Sequence, residues 1–334
     1  MRILVTGVCG YIGSHTAIEL IENGYDVIGL DNFSNSKESV LQDIKKIVNK
    51  EFKFYKGDML DRSLLEKIFK ENDIDGVIDF AAYKAVGESK EKPIEYYINN
   101  VSSVLNLLSV MKENNVKTLV FSSSATVYGS PKEVPIKEDA EIGGTTNPYG
   151  TSKLFVEKIL NDLYDSDNTW NICILRYFNP IGAHKSGFIG ENPNGIPANL
   201  VPYVAKVAKG ELDHLNVFGN DYNTKDGTGV RDYIHVVDLS RGHVQALKKL
   251  EQEKSGLFIY NLGTGIGYSV LDIIKTFEKV NNIKIPYEIA PRRSGDIDIC
   301  YSNPEKAKKE IGFVAKYNLE DMLKDAWNYE KNSH

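Results

Sequence analysis

The chain is 334 residues long, with 40 basic and 46 acidic side chains and a formal charge of −6. Hydrophobic residues make up 42% and charged residues 26%, a mixture able to bury a globular core. The acidic balance leaves no basic stripe for a nucleic-acid backbone, and no apolar run approaches the ~18 residues of a membrane helix.

Cys9, Cys173 and Cys300 are odd in number and lack paired spacing, which fits neither a disulfide framework nor a zinc site. No metal is expected. The apolar opening at 1–5 is too short for a signal segment before Thr6 and Gly7 interrupt it, so a cytoplasmic protein is expected.

Residues 2–6 read as a buried strand. Gly7, Gly10 and Gly13 follow it and open a helix predicted over 12–23. Glycines at such a turn let the backbone approach a pyrophosphate, whose charge the helix N-terminus favours. The spacing is G-x-x-G-x-x-G, one residue longer in its first gap than the usual dinucleotide fingerprint. A second strand at 26–30 ends before Asp31, 18 residues beyond Gly13. An acid there accepts from both hydroxyls of an adenosine ribose and repels a 2′-phosphate, which favours NAD over NADP. The plain structural alternative is a turn built by Asp31 and Asn32. After a third strand at 52–55, Asp58 either meets an adenine or makes a turn.

A helix at 63–72 and strands at 76–80, 118–122 and 171–176 continue the alternation. Near-continuous apolar strands separated by helices predict an α/β fold, a doubly wound parallel sheet of the Rossmann-like kind, with a smaller C-terminal substrate domain. The expected division is 1–178, to which 235–262 returns, and 179–334. A helical pattern over 93–115 carries Ile94, Tyr97, Ile98, Val101, Val104, Leu105, Leu108 and Met111 on one face. Tyr96, Leu107 and Val110 add a second apolar patch, and a helix apolar on two sides packs either between two layers or at a dimer interface, of which the second is favoured. Loops rich in Gly, Pro and Asn at 179–202 and 219–229 are expected to carry function. A helix at 238–250 and a strand at 257–261 follow.

Tyr149 and Lys153 are four residues apart, hence on one helix face, just after the strand that ends near Ser124. A free phenol is a poor base at neutral pH. A cation ~5 Å away at an effective dielectric of ~20 is worth about 3 kcal/mol, roughly two pKa units. Lys153, together with a positive nicotinamide ring, would bring Tyr149 towards neutrality, with Ser124 sharing the substrate hydroxyl. Such a set suits oxidation of an alcohol by hydride transfer to NAD.

The chain resembles the extended short-chain dehydrogenase/reductase family, and within it the branch that inverts carbon 4 of UDP-hexoses. The resemblance rests on TGVCGYIGSHT at 6–16, LDNFSNS at 30–36, KAVGESKEKPIEYY at 84–97, FSSSATVYG at 121–129 and PYGTSK at 148–153. It continues in LRYFNPIGAH at 175–184, FGNDY at 218–222, DGTGVRDYIHVVDL at 226–239 and YNLGTG at 260–265. It implies that Gly7, Gly10, Tyr11, Ile12, Gly13, Asp31, Asn32, Asn35, Ser36, Asp58, Met59, Phe80, Ala81, Lys84, Asn99, Tyr149, Lys153 and Phe178 contact NAD. It implies Ser124, Tyr149 and Lys153 as catalytic residues. Phe178, Asn179, Asn199, Leu200, Asn216, Val217, Phe218, Arg231, Tyr233, Arg293, Asp296 and Cys300 would hold the UDP-sugar with Ser124 and Tyr149.

The implied reaction is reversible 4-epimerisation of UDP-galactose and UDP-glucose, through a transient 4-keto sugar and enzyme-bound NADH, by a homodimer. Cys300, four residues beyond Asp296, stands where relatives restricted to plain hexoses carry a tyrosine, which implies room for N-acetylated sugars as well. A 4,6-dehydratase needs carboxylates after the serine, where this chain has Ala125 and Thr126. A non-catalytic NAD sensor would not need Ser124, Tyr149 and Lys153 together.

Overall fold

The computed structural model describes residues 1–333 apart from 196 and 294. In chain order the elements begin β1 (Arg2–Thr6), α1 (Tyr11–Glu22), β2 (Asp26–Asp31), α2 (Ser39–Val48), β3 (Lys53–Lys56), α3 (Arg62–Glu71) and β4 (Gly76–Asp79). Next come α4 (Val86–Glu91), α5 (Pro93–Tyr97), a π-helical turn (Ile98–Ser102), α6 (Ser103–Glu113), β5 (Thr118–Ser124), α7 (Pro148–Ser166) and β6 (Asn171–Tyr177). They are followed by β7 (Asn179–Ile181), α8 (Leu200–Lys209), β8 (Leu215–Phe218), β9 (Val230–His235), α9 (Val236–Gln252) and β10 (Gly256–Leu262). The chain closes with β11 (Gly267–Ser269), α10 (Val270–Asn281), β12 (Tyr287–Ala290), β13 (Ile299–Cys300), α11 (Glu305–Ile311) and α12 (Leu319–Asn332).

Two compact units result. The first comprises residues 1–130, 140–177 and 240–260; the second comprises 131–139, 178–239 and 261–333. The first is built on a seven-stranded sheet in the order β10-β6-β5-β4-β1-β2-β3. Its pairs β1–β2, β1–β4, β2–β3, β4–β5 and β5–β6 are parallel, and helices cross between them, which makes the unit an α/β Rossmann-like fold. Leu4, Ile28, Val77, Leu119, Phe121 and Trp170 belong to one apolar core with residues of α3, α6 and α7. α7 starts where it does because Pro148 takes the first helical position and Asn147 Oδ1 accepts from the Gly150 amide at 2.8 Å.

The helical pattern over 93–115 is interrupted rather than uniform. The π turn inserts an extra residue and aims Asn100 inward, where its side chain accepts from the Tyr83 amide at 2.8 Å. It donates to Tyr83 O and Ser152 Oγ, each at 3.0 Å. The second apolar patch is therefore not a surface. Tyr96, Leu107 and Val110 are buried inside the protomer, Leu107 and Val110 in the core and Tyr96 with its hydroxyl bonded to Ala85. The exposed apolar residues here are Ile94, Ile98 and Leu105, together with Phe155 of α7, whose ring stacks on Tyr97 at 5.8 Å.

The second unit has its own core, formed by Ile181, Val201, Val204, Val217, Tyr233, Phe277 and Met322 among others. A small sheet in the order β11-β9-β13, with β7 also on β9, lies beside a two-stranded β12–β8 ribbon. Capping boxes at Ser269/Asp272 and Asn318/Asp321 fix the starts of α10 and α12.

Candidate active site

The glycines sit where the chain has no room for side chains. Gly7 has φ +63°, and a Cβ on it would come within 3.1 Å of the Ala81 amide nitrogen. A Cβ on Gly13 would lie 2.1 Å from the Gly7 carbonyl oxygen, so α1 packs onto the turn only because residue 13 has none. Tyr11 and Ile12 begin α1; Tyr11 lies edge-on to His15, and the exposed Lys84 ammonium stands 5.8 Å from the Tyr11 ring.

Asp31 does structural work at the end of β2. Its Oδ2 accepts from the Cys9 amide at 2.9 Å, and Oδ1 accepts from the Phe33 amide and Ser36 Oγ, both at 2.8 Å. Asn32 Nδ2 donates to Asp58 Oδ2 at 2.8 Å, which joins two of the cofactor candidates at the carboxyl edge of β2 and β3. Asp58 also makes a turn, accepting from Leu60 N at 2.8 Å. Ligand-facing and turn-forming readings of Asp31 and Asp58 are thus not exclusive, since each carboxylate has about four lone-pair sites. Asn35 is exposed and follows Ser34 in the same loop. Met59 has its side chain in the apolar core, while Phe80 and Ala81 are partly exposed and tied by their amides to Thr6 Oγ1 at 3.1 and 3.2 Å. Asn99 lies on the π turn and donates to Asn100 Oδ1 at 3.0 Å.

Tyr149 is on the first turn of α7, with Lys153 one turn on. The Tyr149 phenol hydrogen-bonds Ser124, at the end of β5, and Ser124 Oγ accepts from the Thr126 amide at 3.2 Å. Lys153 is buried and its ammonium donates to Ser122 O at 2.7 Å while lying over the Phe121 ring. Burial raises the Tyr149 pKa, and the Ser124 hydrogen bond lowers it in part. On the chain's own groups alone, the downward pull expected of Lys153 does not overcome that desolvation. Burial brings Lys153 down to about 8, against the opposing pull of Asp79 and Glu157.

Apart from Ser124 and Tyr149, the residues expected at a nucleotide sugar lie in the second unit. Arg231 and Tyr233 are on β9, with Asn179 of β7 paired to Tyr233 and Cys300 of β13 paired to Arg231. Arg293 Nε donates to Asp296 Oδ2 at 3.0 Å, and its guanidinium stands 4.9 Å from the Phe218 ring. Asn216 shares β8 with Phe218, and Val217 between them is buried in the core. Phe178 is buried and Asn199 caps α8 just before Leu200, its amide donating to Glu191 Oε1 at 2.6 Å. Burial raises Tyr233 to about 12 and the half-buried Cys300 thiol to about 11. Tyr222 was not singled out from the sequence. Its hydroxyl is buried without a hydrogen-bond partner, in the field of Arg231, Arg292 and Arg293.

A family profile described as GDP-mannose 4,6 dehydratase matches residues 4–326. The UDP-glucose 4-epimerase of Haemophilus influenzae is 60% identical over 333 residues, covering 100% of this chain and 98% of that one. That of Pasteurella multocida is 58% identical with the same coverage. The crystal structure of UDP-glucose 4-epimerase from Bifidobacterium longum with NAD+ and UDP superposes with a TM-score of 0.97, at 57% identity and 99% coverage of both chains. The chain belongs to the UDP-glucose 4-epimerase family.

Within that family the dehydratase description of the profile is accounted for by shared first steps, since both reactions begin by oxidising carbon 4. The short 3-10 turn Ala125–Tyr128 supplies no carboxylate after Ser124 with which to eliminate water. Asp79 is a further residue that the sequence does not single out, as one acid within an otherwise apolar strand expected over 76–80. Among the described residues no group of three or more His, Cys, Asp or Glu side chains is arranged to hold a metal, and no helix is long and apolar enough to cross a membrane.

Proposed function

We propose that this chain interconverts UDP-galactose and UDP-glucose by inverting carbon 4, with NAD as its resident cofactor. The observation that carries the reading is the Ser124–Tyr149 hydrogen bond with buried Lys153 one turn on, in the same unit as a glycine turn with no room for a Cβ. The residues fit a dinucleotide: the cradle at Gly7, Gly10 and Gly13 admits a pyrophosphate, and Asp31 at the β2 edge suits the ribose hydroxyls of NAD.

Bound NAD supplies the place where the carbon-4 hydride waits between the two halves of the cycle. Tyr149 accepts the proton of the 4-hydroxyl and later returns it, while Ser124 holds that oxygen in line. Lys153, as an ammonium, favours the phenolate form of Tyr149. Arg231 and Arg293 supply positive charge for the diphosphate, and the unpartnered Tyr222 hydroxyl offers a further donor. The 4-keto sugar, held only through its UDP, turns and takes the hydride back on its other face.

The same reading extends to the N-acetylated pair. Cys300 and Arg231 are register partners on neighbouring strands, so their side chains share a sheet face. A thiol there leaves the volume that a phenol would fill beside carbon 2, and packed interiors do not absorb such overlap. A homodimer fits the exposed Ile94, Ile98, Leu105 and Phe155 on α5–α7. Three cysteines without a disulfide suit a reducing compartment such as the cytoplasm. The test is conversion of UDP-galactose and of UDP-N-acetylgalactosamine without added NAD, in wild type and in Cys300→Tyr. Both pairs turn over in wild type and only the plain pair in the variant. Inertness towards UDP-galactose refutes the main reading, and inertness towards the N-acetylated pair alone refutes the extension.

A further inference from the structure

The buried carboxylate of Asp79 takes no part in the reaction as described. It ends β4, where the sheet register pairs it with Phe121 of β5 and with Thr6 of β1. Paired positions of neighbouring strands project their side chains from the same face of a sheet. The contacts agree with that geometry. The Thr6 hydroxyl donates to Asp79 Oδ1 at 2.5 Å, and the Lys153 ammonium stands 4.9 Å from the centre of the Phe121 ring. Asp79 therefore projects from the face that Lys153 covers. Its hydrogen-bond donors, the Thr6 hydroxyl and the Ala81 amide, are both neutral. A carboxylate taken out of water is strongly disfavoured, and burial raises the Asp79 pKa; the Thr6 hydroxyl, the Lys153 ammonium and the Ala81 amide pull it back down, Lys153 being the charged group among them.

We infer that Asp79 is a positioning residue for the acid–base step, its buried carboxylate holding Lys153 in the ammonium form that the Tyr149 chemistry requires.

This inference rests on the epimerase reading and names which group sustains its cation. The other groups around Lys153 are accounted for. Glu157, one turn along α7, is committed to Arg176, whose Nε and Nη2 reach its two oxygens at 3.0 and 2.7 Å. Tyr149 lies one turn back, Ser122 accepts from the ammonium, and Tyr177 of β6 hydrogen-bonds Ser122 and His243. Asp79 is left as the acid without a cation of its own. Burial pulls Lys153 down to about 8, and Asp79 is first among the groups opposing that fall. The sign follows directly: the ammonium is lost as pH rises through about 8, and earlier if Asp79 is neutral.

The protein as purified, labelled with carbon-13 at lysine Cε, is titrated by NMR, with the Lys153 signal assigned by its loss in Lys153→Arg. The pH profile of kcat/KM is measured in parallel. In Asp79→Asn the Lys153 midpoint falls by about one pH unit or more, and the alkaline limb of kcat/KM falls with it. The activity deficit is then small near pH 6 and grows to about fivefold or more near pH 8. Asp79→Glu, which keeps the charge, restores both. An unmoved midpoint, or a deficit equal at every pH as a purely structural role would give, overturns the inference. Should Asp79→Asn not fold, the wild type decides: a midpoint at or above about 7 supports a held ammonium, and one below it overturns the inference. The NMR titration needs no turnover, so the coupling of Asp79 to Lys153 is decided even if a wild type inert towards UDP-galactose sinks the functional reading on which its catalytic role rests.

Discussion

Arg176 and Glu157 offer the sharpest test of how the catalytic helix is seated. Their side chains are 2% and 1% exposed, and three Arg176 nitrogens are engaged: Nε and Nη2 on the Glu157 carboxylate, and Nη1 on Tyr128 Oη at 2.9 Å. Replacing Arg176 by Met leaves Glu157 buried with the Ser123 hydroxyl but without its cation. Breaking one side of such a pair costs about 3–5 kcal/mol, a large share of the ~5–15 kcal/mol that holds a native protein. Replacing both members by Met costs far less, because no bare charge remains. Urea unfolding of the first unit can be followed through Trp170, which is fully buried in its core, in a Trp327→Phe background. At an m value of about 3 kcal/mol/M, Arg176→Met lowers the midpoint by about 1 M or more, and Glu157→Met added to it recovers most of the loss. A single-variant cost under about 1 kcal/mol, or a double variant no better than the sum of the singles, refutes the view that α7 is anchored by this pair.

Tyr149→Phe keeps its affinity for UDP and loses about 10²–10⁴-fold in turnover, because only the proton-transfer group is removed; activity within about fivefold of wild type contradicts the role. Gly13→Ala forces the Gly7 carbonyl away and weakens NAD retention by about tenfold or more, read as nucleotide released on denaturing the purified protein; unchanged content argues against the cradle. Ile98→Asp places a charge on the exposed apolar face of the π turn. Sedimentation at micromolar concentration should show a dimer for wild type and a monomer for the variant, and a variant that stays dimeric moves the interface elsewhere.

Much of the first unit can be read directly from residue order. β1 at Arg2–Thr6 is built on the apolar run Ile3-Leu4-Val5, and the expected strands at 118–122 and 171–176 extend only slightly, to Ser124 and Tyr177. The Tyr149–Lys153 pair follows from a spacing of four on a helix whose Pro148 and Asn147 mark its start. What escaped depends on distance in sequence. Ile136 bonds to Tyr301 and Asn303, a pairing that no local pattern announces. Which apolar patch of 93–115 is covered depends on α3, β5 and α7 rather than on the helix itself, and the π turn leaves no compositional mark. Asp79 and Arg176 are charges within apolar strands, and their partners, Thr6 and Glu157, lie 73 and 19 residues away.

The π turn makes chain length in this stretch a constraint of its own. Asn100 reaches both Tyr83, beside the residues expected at the cofactor, and Ser152, the neighbour of Lys153. Deleting one residue from 98–102 would relax the turn to an ordinary helix and swing everything on one side of it by roughly 100° about the axis. Asn100 could then meet one anchor but not both. Substitutions that keep the count leave this clamp in phase, whereas a single-residue deletion works like a slipped gear tooth. Evolution can therefore vary the lettering here much more freely than the number of letters.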